Sequence, residues 1–355
     1  MKKIILLSVI FFLPLNVFAI SASSAIVMDL DNKRVLSGYN YHDSRLIASI
    51  TKIMTAIIAI ECGDLEKEVE VTDIIKESFG SGIYIKVGEN ITLKDLIYGL
   101  MLRSGNDAAL MIAEHISGSE EEFVYLMNDY ANKLNMKNTN FINPHGLENN
   151  EGIGNKSTCY DMALLTSYAM QNPVFREIFS TKEYIAKTDL MTYRWMNKNK
   201  LLKYDYITGG KTGFTKKARR TLVTTGSKDD VNVVVVTLND PNDWEDHTDL
   251  YNKTFKNYRS IKIVNKDKFK VKKDKYYKKH KLYVKNNYSM TLTKKEIKKI
   301  SLDIELIKYK NFNNDDLVGN IKVKLGNKIY HKEPIYIKKV KEKKKNNKTK
   351  DWFKW

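Results

Sequence analysis

Cysteine and metal-binding motifs are scarce in this chain of 355 residues. Its two cysteines, Cys62 and Cys159, are too few and too far apart for a disulfide framework. We therefore expect two buried thiols that act as small apolar side chains. The six histidines are scattered, and neither C-x-x-C nor H-E-x-x-H occurs. The sequence thus predicts no metal site.

Long apolar runs are missing after the first residues. Residues 1–19 combine the charged start MKK, an apolar stretch and V-F-A ending at Ala19, which is the pattern of a signal peptide cleaved after Ala19. The apolar stretch is short for a membrane span and contains Pro14. A retained signal anchor is the alternative. We expect an exported protein, either secreted or peripheral at the outer face of the cytoplasmic membrane or in the cell wall.

Acidic residues are few in the last third of the chain. Residues 256–355 hold 32 Lys and Arg against 10 Asp and Glu, whereas the remainder holds 28 against 32. In an exported protein this imbalance favours an anionic membrane surface or wall polymer over nucleic acid as the partner. A solvated lysine-rich surface is the alternative. The basic tail, 341–355, ends in aromatic residues and predicts peripheral attachment that salt removes, without insertion.

The order of predicted elements indicates an α+β fold. Two short strands flank a turn at Asp31-Asn32, and helical apolar spacing follows from Ser49 and is expected to stop at Gly63. Thr92, with Asp95 three residues later, predicts the start of a further helix. Two strands come late, in ARRTLVTTGSKDDVNVVVVTLND. This order favours helices packed on one antiparallel sheet over residues 20–258. Short alternating runs rich in Ile, Val, Tyr and Lys predict a small basic all-β domain over residues 259–340.

A serine and a lysine stand three residues apart in ASITKIMTAI, at the head of an apolar run. Positions i and i+3 of an α-helix lie on one face, so Ser49 and Lys52 are expected to point the same way. The lysine can act as base for the serine only when its amine is neutral, which requires burial and a second nearby cation. The alternative is a helix cap beside a solvated lysine.

Two further motifs follow in order along the chain. LRSGND holds Ser104 and Asn106 between two predicted helices, and GGKTGFT holds Lys211, Thr212 and Gly213 before the late strands. A bare S-x-x-K is a weak signal. The succession S-x-x-K, S-x-N and K-T-G is much stronger, and it resembles the penicillin-recognising serine peptidases and β-lactamases, whose mechanism involves these motifs.

With NPHGL and ARRTLV near them, these motifs resemble the serine-type D-alanyl-D-alanine carboxypeptidases of peptidase family S11, the low-molecular-mass penicillin-binding proteins. The resemblance runs from Ala22 to about residue 258 and continues more loosely beyond. It implies a β-lactamase/transpeptidase-like domain followed by a small all-β domain. It also implies hydrolysis of the terminal D-Ala-D-Ala bond of peptidoglycan stem peptides, inhibition by β-lactam antibiotics, and no cofactor.

The chemistry of acyl transfer gives each catalytic residue a role. Ser49 is expected to be the nucleophile, Lys52 its base, and Ser104 the relay that passes a proton to the departing amine. By the resemblance, the backbone N–H groups of Ser49 and Phe214 would form the oxyanion hole.

The remaining motif residues are expected to bind substrate. Asn106 would hydrogen-bond the substrate amide, and Lys211 with Thr212 would hold its terminal carboxylate. Gly213 would let the substrate backbone approach the strand closely.

The alternatives are a β-lactamase, a wall-binding protein with a vestigial site, and a basic adhesin. The class A β-lactamases carry E-x-x-L-N, which does not occur here, and none of the three motifs is broken. His145 in NPHGL is expected to be a turn residue and not a base. Of Arg219 and Arg220, strand alternation places one toward the site without saying which.

Overall fold

The computed structural model describes residues 20–271, 275–277 and 280–338. The predicted signal peptide, 1–19, and the predicted tail, 341–355, lie outside the described residues. The described chain forms two compact units. The first holds residues 20–28, 35–226 and 234–251, and the second holds 29–34, 227–233 and the described residues from 252 to 338. The domain limits inferred from the sequence stay predictions.

The strands in chain order are β1 Ser24–Asp29, β2 Val35–Tyr39, β3 Arg45–Leu46, β4 Glu68–Glu70, β5 Asn90–Thr92, β6 Lys156–Ser157, β7 Glu183–Lys187, β8 Thr192–Met196, β9 Ile207–Thr215, β10 Arg219–Lys228, β11 Val231–Leu238, β12 Tyr258–Val264, β13 Lys281–Tyr283, β14 Tyr288–Thr293, β15 Ile300–Leu306, β16 Leu317–Leu325 and β17 Lys328–Lys338. The helices are α1 Lys52–Cys62, α2 Leu93–Leu102, α3 Asn106–Ser117, α4 Glu120–Lys133, α5 Cys159–Ala169, α6 Pro173–Ser180, α7 Asp243–Asn257 and α8 Lys294–Ile297. The described residues also form 3-10 turns at Ala48–Thr51, Asp73–Glu77 and Lys200–Lys203.

Early and late strands build the main sheet together, in the order β2-β1-β11-β10-β9. The pairs β1–β2 and β9–β10 are antiparallel. β10 and β11 turn at Asp229 and Asp230, which both have left-handed backbones with φ of 52° and 60°, as tight hairpins require. The predicted α+β fold with strands from both ends of the segment is confirmed. β9, which carries the K-T-G motif, is the last strand in this order.

Helix α1 is the central helix of the first unit. Its residues from Lys52 to Ile60 are all buried, as expected for a helix that is apolar on every side. The helix ends at Gly63, where the sequence predicts its end. α2 begins after Thr92, whose side chain accepts a hydrogen bond from the backbone N–H of Asp95 at 3.1 Å, so the predicted N-cap is present.

The regular structure in the described part of the second unit is mainly β-strand. A four-stranded sheet has the order β13-β17-β16-β15, and β12 pairs with β14. Its core is made of aliphatic residues such as Val264, Leu292, Val323 and Ile335. The single turn of helix α8 is closed by a capping box between Thr293 and Glu296.

The prediction of two buried thiols is wrong for Cys62. Both cysteines are free, but Cys159 is buried whereas Cys62 is exposed. Cys62 is the last residue of α1, and the helix has left the core at that point. No helix in the described part of the chain is long and apolar enough to cross a membrane.

Candidate active site

Ser49 and Lys52 meet at the junction of a 3-10 turn and helix α1. The sequence predicts an α-helix from Ser49, but the α-helix begins at Lys52, and Ser49 lies in the preceding turn Ala48–Thr51. Ala48 has a left-handed φ of 50°, so the chain bends sharply just before the serine. In a 3-10 turn the side chains at i and i+3 eclipse, and the Nζ atom of Lys52 lies 3.2 Å from Oγ of Ser49.

Two acceptors orient the amine of Lys52. Its Nζ atom donates to Oδ1 of Asn106 at 2.7 Å and to the backbone carbonyl of His145 at 2.5 Å. A neutral amine has two N–H groups and one lone pair. With both N–H groups used, the lone pair is left for the hydroxyl proton of Ser49. This is the donor arrangement that a general base requires.

The electrostatic surroundings favour this neutral form. Lys52 is completely buried, and burial lowers the pKa of its amine well below the usual value, with Lys211 and then Lys198 lowering it further. Asp107 acts in the opposite direction, but its contribution is the smallest of these four. Burial and neighbouring cations, the two conditions for a lysine to act as a base near neutral pH, are thus both present at Lys52.

Ser104 and Lys211 form a second hydroxyl–amine pair. Ser104 follows α2 with a left-handed φ of 65°, and its Oγ lies 3.0 Å from Nζ of Lys211. The Lys211 amine also donates to the carbonyl of Thr212 at 2.7 Å. Burial, followed by the charge of Lys198, lowers the pKa of Lys211 to about 7. One cation can therefore both polarise Ser104 and attract an anion.

Asn106 has both ends of its amide engaged within the protein. Its Oδ1 accepts from Lys52 at 2.7 Å, and its Nδ2 donates to the carbonyl of Phe79 at 2.5 Å. The side chain is buried, being 2% exposed. These contacts position Lys52. Nδ2 carries a second N–H, and the predicted bond from Asn106 to the substrate amide stays a prediction.

Gly213 brings β9 against the serine turn. A Cβ atom added at Gly213 would lie 3.0 Å from the backbone N of Ser49, 3.1 Å from that of Ile50, and in overlap with Oγ1 of Thr221. No side chain is therefore accommodated here. The serine turn lies against Gly213, and the approach of a substrate backbone to this strand stays a prediction. Phe214, the next residue, is 59% exposed.

A groove of about 370 Å³ joins these groups. It is lined by the predicted residues Ser49, Ser104, Thr212, Gly213 and Phe214 and by Ser81, Lys198, Lys200, Arg220, Asp243 and Trp244. The buried ends of Lys52 and Lys211 lie beneath Ser49 and Ser104. The structure thus brings all eight predicted residues together around one opening.

Arg220 is the member of the arginine pair that lines the groove, whereas Arg219 does not. Nε of Arg220 lies 2.9 Å from Oδ1 of the buried Asp243, and the Arg220 guanidinium lies 5.4 Å from the centre of the Trp244 ring. Strand alternation predicts that one of the two arginines faces the site. Which of them does so depends on the register between β9 and β10. Lys198, whose Nζ donates to Ser81 at 3.0 Å, stands in a loop without any motif.

His145 contributes its backbone and not its ring. Its Nδ1 atom accepts the backbone N–H of Leu147 at 3.1 Å. Burial, and then the charge of Lys52, lower the pKa of the ring to about 3. The adjacent Gly146 has a left-handed φ of 91°, and a Cβ atom there would overlap the carbonyl of Ala48. This tight turn presents the carbonyl of residue 145 to Lys52.

Among residues 20–271, 275–277 and 280–338, no group of three or more His, Cys, Asp or Glu side chains is arranged to hold a metal ion. Acid–base and nucleophilic chemistry is what the assembled hydroxyls and amines can perform.

Two sequence models of known families match the chain. The model described as D-alanyl-D-alanine carboxypeptidase matches residues 14–242, and the model described as penicillin-binding protein 5, C-terminal domain, matches residues 258–343. The chain is 35% identical over 223 residues to D-alanyl-D-alanine carboxypeptidase DacF of Bacillus subtilis, covering 61% of this chain and 56% of that protein. It is 32% identical over 235 residues to DacC of Escherichia coli, covering 62% and 57%. The matched region is therefore little more than half the length of these relatives.

A solved structure shares the fold over most of the chain. Penicillin binding protein 6B from Escherichia coli is 26% identical, with a TM-score of 0.70 over 89% of this chain and 95% of that one. These likenesses favour the peptidase over the β-lactamase alternative. Since the first model alone covers well over half of the sequence, the chain belongs to the D-alanyl-D-alanine carboxypeptidase family, peptidase family S11.

Proposed function

We propose that this protein hydrolyses the terminal D-Ala-D-Ala bond of peptidoglycan pentapeptide stems through an acyl-enzyme on Ser49. The observation that carries the proposal is the contact of 3.2 Å between Oγ of Ser49 and the buried amine of Lys52. A vestigial wall-binding site would not need a buried lysine with a lowered pKa beside a serine. The intact geometry therefore supports an enzyme.

In the acylation step, Oγ of Ser49 forms a bond to the carbonyl carbon of the penultimate D-alanine, and the C–N bond to the last D-alanine breaks. Lys52 takes the hydroxyl proton. Ser104, polarised by Lys211 at 3.0 Å, gives its proton to the departing amine and regains one from Lys52, which returns to its neutral form. Water then attacks the ester, releases the shortened peptide and restores the Ser49 hydroxyl.

The oxyanion of the tetrahedral intermediate would be stabilised by the backbone N–H groups of Ser49 and Phe214. The close approach of Gly213 to the backbone of Ser49 supports this assignment, because it brings β9 and the serine turn side by side. Removing one such donor typically costs about 10²–10³-fold in rate.

The terminal carboxylate would be held by Lys211, Thr212 and Arg220. Three cations, Lys198, Lys200 and Arg220, line the groove. Among the described residues that line it, Asp243 is the one carboxylate, and it is already paired with Arg220. The groove thus carries an excess of positive charge beside the two serines, which suits an anionic chain end.

The test compares a stem-like peptide ending in D-Ala-D-Ala with benzylpenicillin. D-Alanine release is followed by a coupled oxidase assay, and the covalent adduct is followed by intact mass. We expect rapid D-alanine release and a long-lived penicilloyl adduct on Ser49. Rapid penicillin turnover without D-alanine release would instead establish a β-lactamase and refute the proposal.

We also propose that the mature chain acts outside the cytoplasm, after cleavage following Ala19, and that its basic C-terminal region holds it on an anionic membrane surface or wall polymer. The excess of lysine after residue 255 supports this, since each lysine near an anionic membrane contributes about 1 kcal/mol. Full-length protein should sediment with anionic vesicles at low salt, and removal of 341–355 should release it. Retention at high salt would contradict peripheral attachment.

A further inference from the structure

Two buried carboxylates, Asp240 and Asp246, face the chain where it enters the first unit. Asp240 is completely buried, and Asp246 is 6% exposed. Oδ2 of Asp246 accepts hydrogen bonds from the backbone N–H of Ser21 at 2.7 Å and from that of Ala22 at 3.2 Å. The hydroxyl of Ser21 lies 2.9 Å from Oδ1 of Asp240 and 2.8 Å from Oδ2 of Asp246. One serine hydroxyl thus lies between the two acids.

The two acids contact no cation within the described residues. Neither carboxylate has a lysine, arginine or histidine nitrogen at salt-bridge distance there, and Arg220 pairs with Asp243 instead. Oδ2 of Asp240 is buried and accepts no hydrogen bond from that part of the chain. A buried carboxylate without a partner is costly, so such a group takes up a proton or gains a cation.

The electrostatic surroundings show the same shortage of positive charge. Burial raises the pKa of Asp240 most, Thr237 opposes this effect, and Asp246 raises the pKa again, to about 7. Burial, followed by the charges of Asp240 and Asp246, also raises the pKa of the Tyr39 hydroxyl to about 12. A positive charge at this place would favour the ionised form of both acids.

The chain itself supplies a nitrogen atom at this place. One residue spans at most about 3.6 Å, so the nitrogen of Ile20 lies within about 6 Å of the Asp246 carboxylate. Opposite charges act on a carboxyl group at such distances. Hydrolysis after Ala19 would consume one water molecule, leave a carboxylate on Ala19 and leave an amine on Ile20. That amine takes up a proton near neutral pH, since the usual pKa of an α-amino group is about 7.7–8.0.

The segment 240–246 joins this nitrogen to the groove. The backbone N–H of Asp240 donates to the carbonyl of Arg220 at 3.0 Å. Asp243 holds the Arg220 side chain at 2.9 Å. On the other side, the backbone N–H of Asn242 donates to Oγ of Ser21 at 3.3 Å. The start of the mature chain and the arginine of the groove are therefore attached to the same short segment.

We propose that the α-ammonium group of Ile20, made by cleavage after Ala19, is the counter-ion of Asp240 and Asp246 and thereby fixes the segment that holds Arg220. This inference rests on the proposed export and cleavage, and not on the proposed peptidase activity. Before cleavage the nitrogen of residue 20 is an uncharged amide, and the two carboxyl groups share a proton. Removal of the signal peptide then stabilises the fold as well as releasing the chain.

The experiment compares two purified forms that differ only at their first residues. One begins at Ile20. The other carries Gly-Ser before Ile20, which converts the amine into an amide and moves the charge two residues away. The midpoint of thermal unfolding at pH 7 should be about 4 °C or more higher for the form that begins at Ile20.

Substitution of the acids tests whether this difference comes from the charge pair. Asp246→Asn keeps an oxygen acceptor for the Ser21 N–H but cannot neutralise an ammonium group. It should therefore lower the midpoint more in the form that begins at Ile20 than in the Gly-Ser form, and Asp240→Asn should do the same. Asp129→Asn, which removes a surface ion pair with Lys133 on α4, is the matched control and should cost the same in both forms.

The link to the groove is tested by KM for a peptide with a free terminal carboxylate. We expect a value about threefold higher in the Gly-Ser form, with kcat unchanged, because the charge-assisted contact of Arg220 is weakened there. KM for the corresponding peptide amide should be the same in both forms. Equal KM values for the free acid would refute the part of the proposal that concerns Arg220.

The remaining outcomes separate this inference from the peptidase activity. N-terminal sequencing of the exported protein that finds a first residue other than Ile20 would refute the counter-ion. Equal unfolding midpoints for the two forms, or equal costs of both acid substitutions in them, would refute it as well. In each of these cases the assay of D-alanine release still decides the peptidase activity. If the form that begins at Ile20 shows the selective loss but releases no D-alanine, the counter-ion stands and the proposed peptidase activity fails.

Discussion

Replacing Gly213 with alanine tests whether catalysis depends on the separation between β9 and the serine turn. The added Cβ would meet the backbone N of Ser49 at 3.0 Å and that of Ile50 at 3.1 Å. Backbone atoms cannot rotate away, so the strand must retreat by a few tenths of an ångström to reach an ordinary contact. A misplacement of 1 Å costs about 10²-fold in rate, so we expect Gly213→Ala to slow acylation about tenfold.

The same Cβ would also overlap with Oγ1 of Thr221, and this clash can be separated from the first. Overpacking of this kind costs about 1–3 kcal/mol of stability. The double variant Gly213→Ala, Thr221→Ala removes the side-chain clash and leaves the two backbone contacts. We therefore expect Gly213→Ala to cost less stability in the Thr221→Ala background than in the wild type. The acylation rate of the double variant should stay low. Stopped-flow acylation by a chromogenic β-lactam and thermal unfolding give the two quantities. Full recovery of the rate in the double variant would refute the argument from backbone separation.

Three further predictions concern the catalytic and binding groups. Ser49→Ala should abolish both D-alanine release and penicillin labelling, and Lys52→Ala should slow acylation about 10²–10⁴-fold; an adduct located on another serine by peptide mass mapping would contradict both. The pKa of Lys211 is about 7 in the free enzyme, so its charge is lost as pH rises through that value, and kcat/KM for a peptide with a free carboxylate should fall there. Lys211→Arg should move this fall to higher pH, whereas an unchanged profile would exclude Lys211 as the anchor. Arg220→Gln should raise KM for the free acid more than for its amide, and Asp243→Asn should do so more weakly; equal effects on acid and amide would show that Arg220 does not meet the carboxylate.

Much of the fold could be predicted from the sequence, because the starts and ends of its helices are marked by short sequence patterns. Thr92 caps α2 as its sequence spacing predicts, and Gly63 ends α1. The predicted start of the helix at Ser49 was less accurate. The left-handed backbone at Ala48 and the 3-10 turn after it depend on packing against Gly146 and Gly213. Local propensity carries no information on such distant contacts.

The site residues that belong to sequence motifs could be predicted, whereas those outside the motifs could not. Ser49, Lys52, Ser104 and Lys211 belong to recognisable spacings, and the structure brings them together. Lys198 and Trp244 belong to none, so their presence at the groove follows only from the tertiary fold. The exposure of Cys62 escaped prediction for a related reason, since composition does not tell where a buried helix leaves the core.

The turn at residues 143–147 has a consequence for how substitutions act on this enzyme. Lys52 is held there by a main-chain carbonyl, which no side-chain replacement at position 145 can delete. A mutational scan should therefore find His145 more tolerant than its neighbours, because a replacement there removes only the bond from the Leu147 N–H to the ring. Asn143 accepts the backbone N–H of Gly146 at 2.6 Å and donates to the carbonyl of Leu147 at 2.8 Å, and Gly146 supplies the left-handed bend. Sensitivity in such a scan would thus mark the residues that shape the peptide chain, while the residue that supplies the catalytic contact would go undetected.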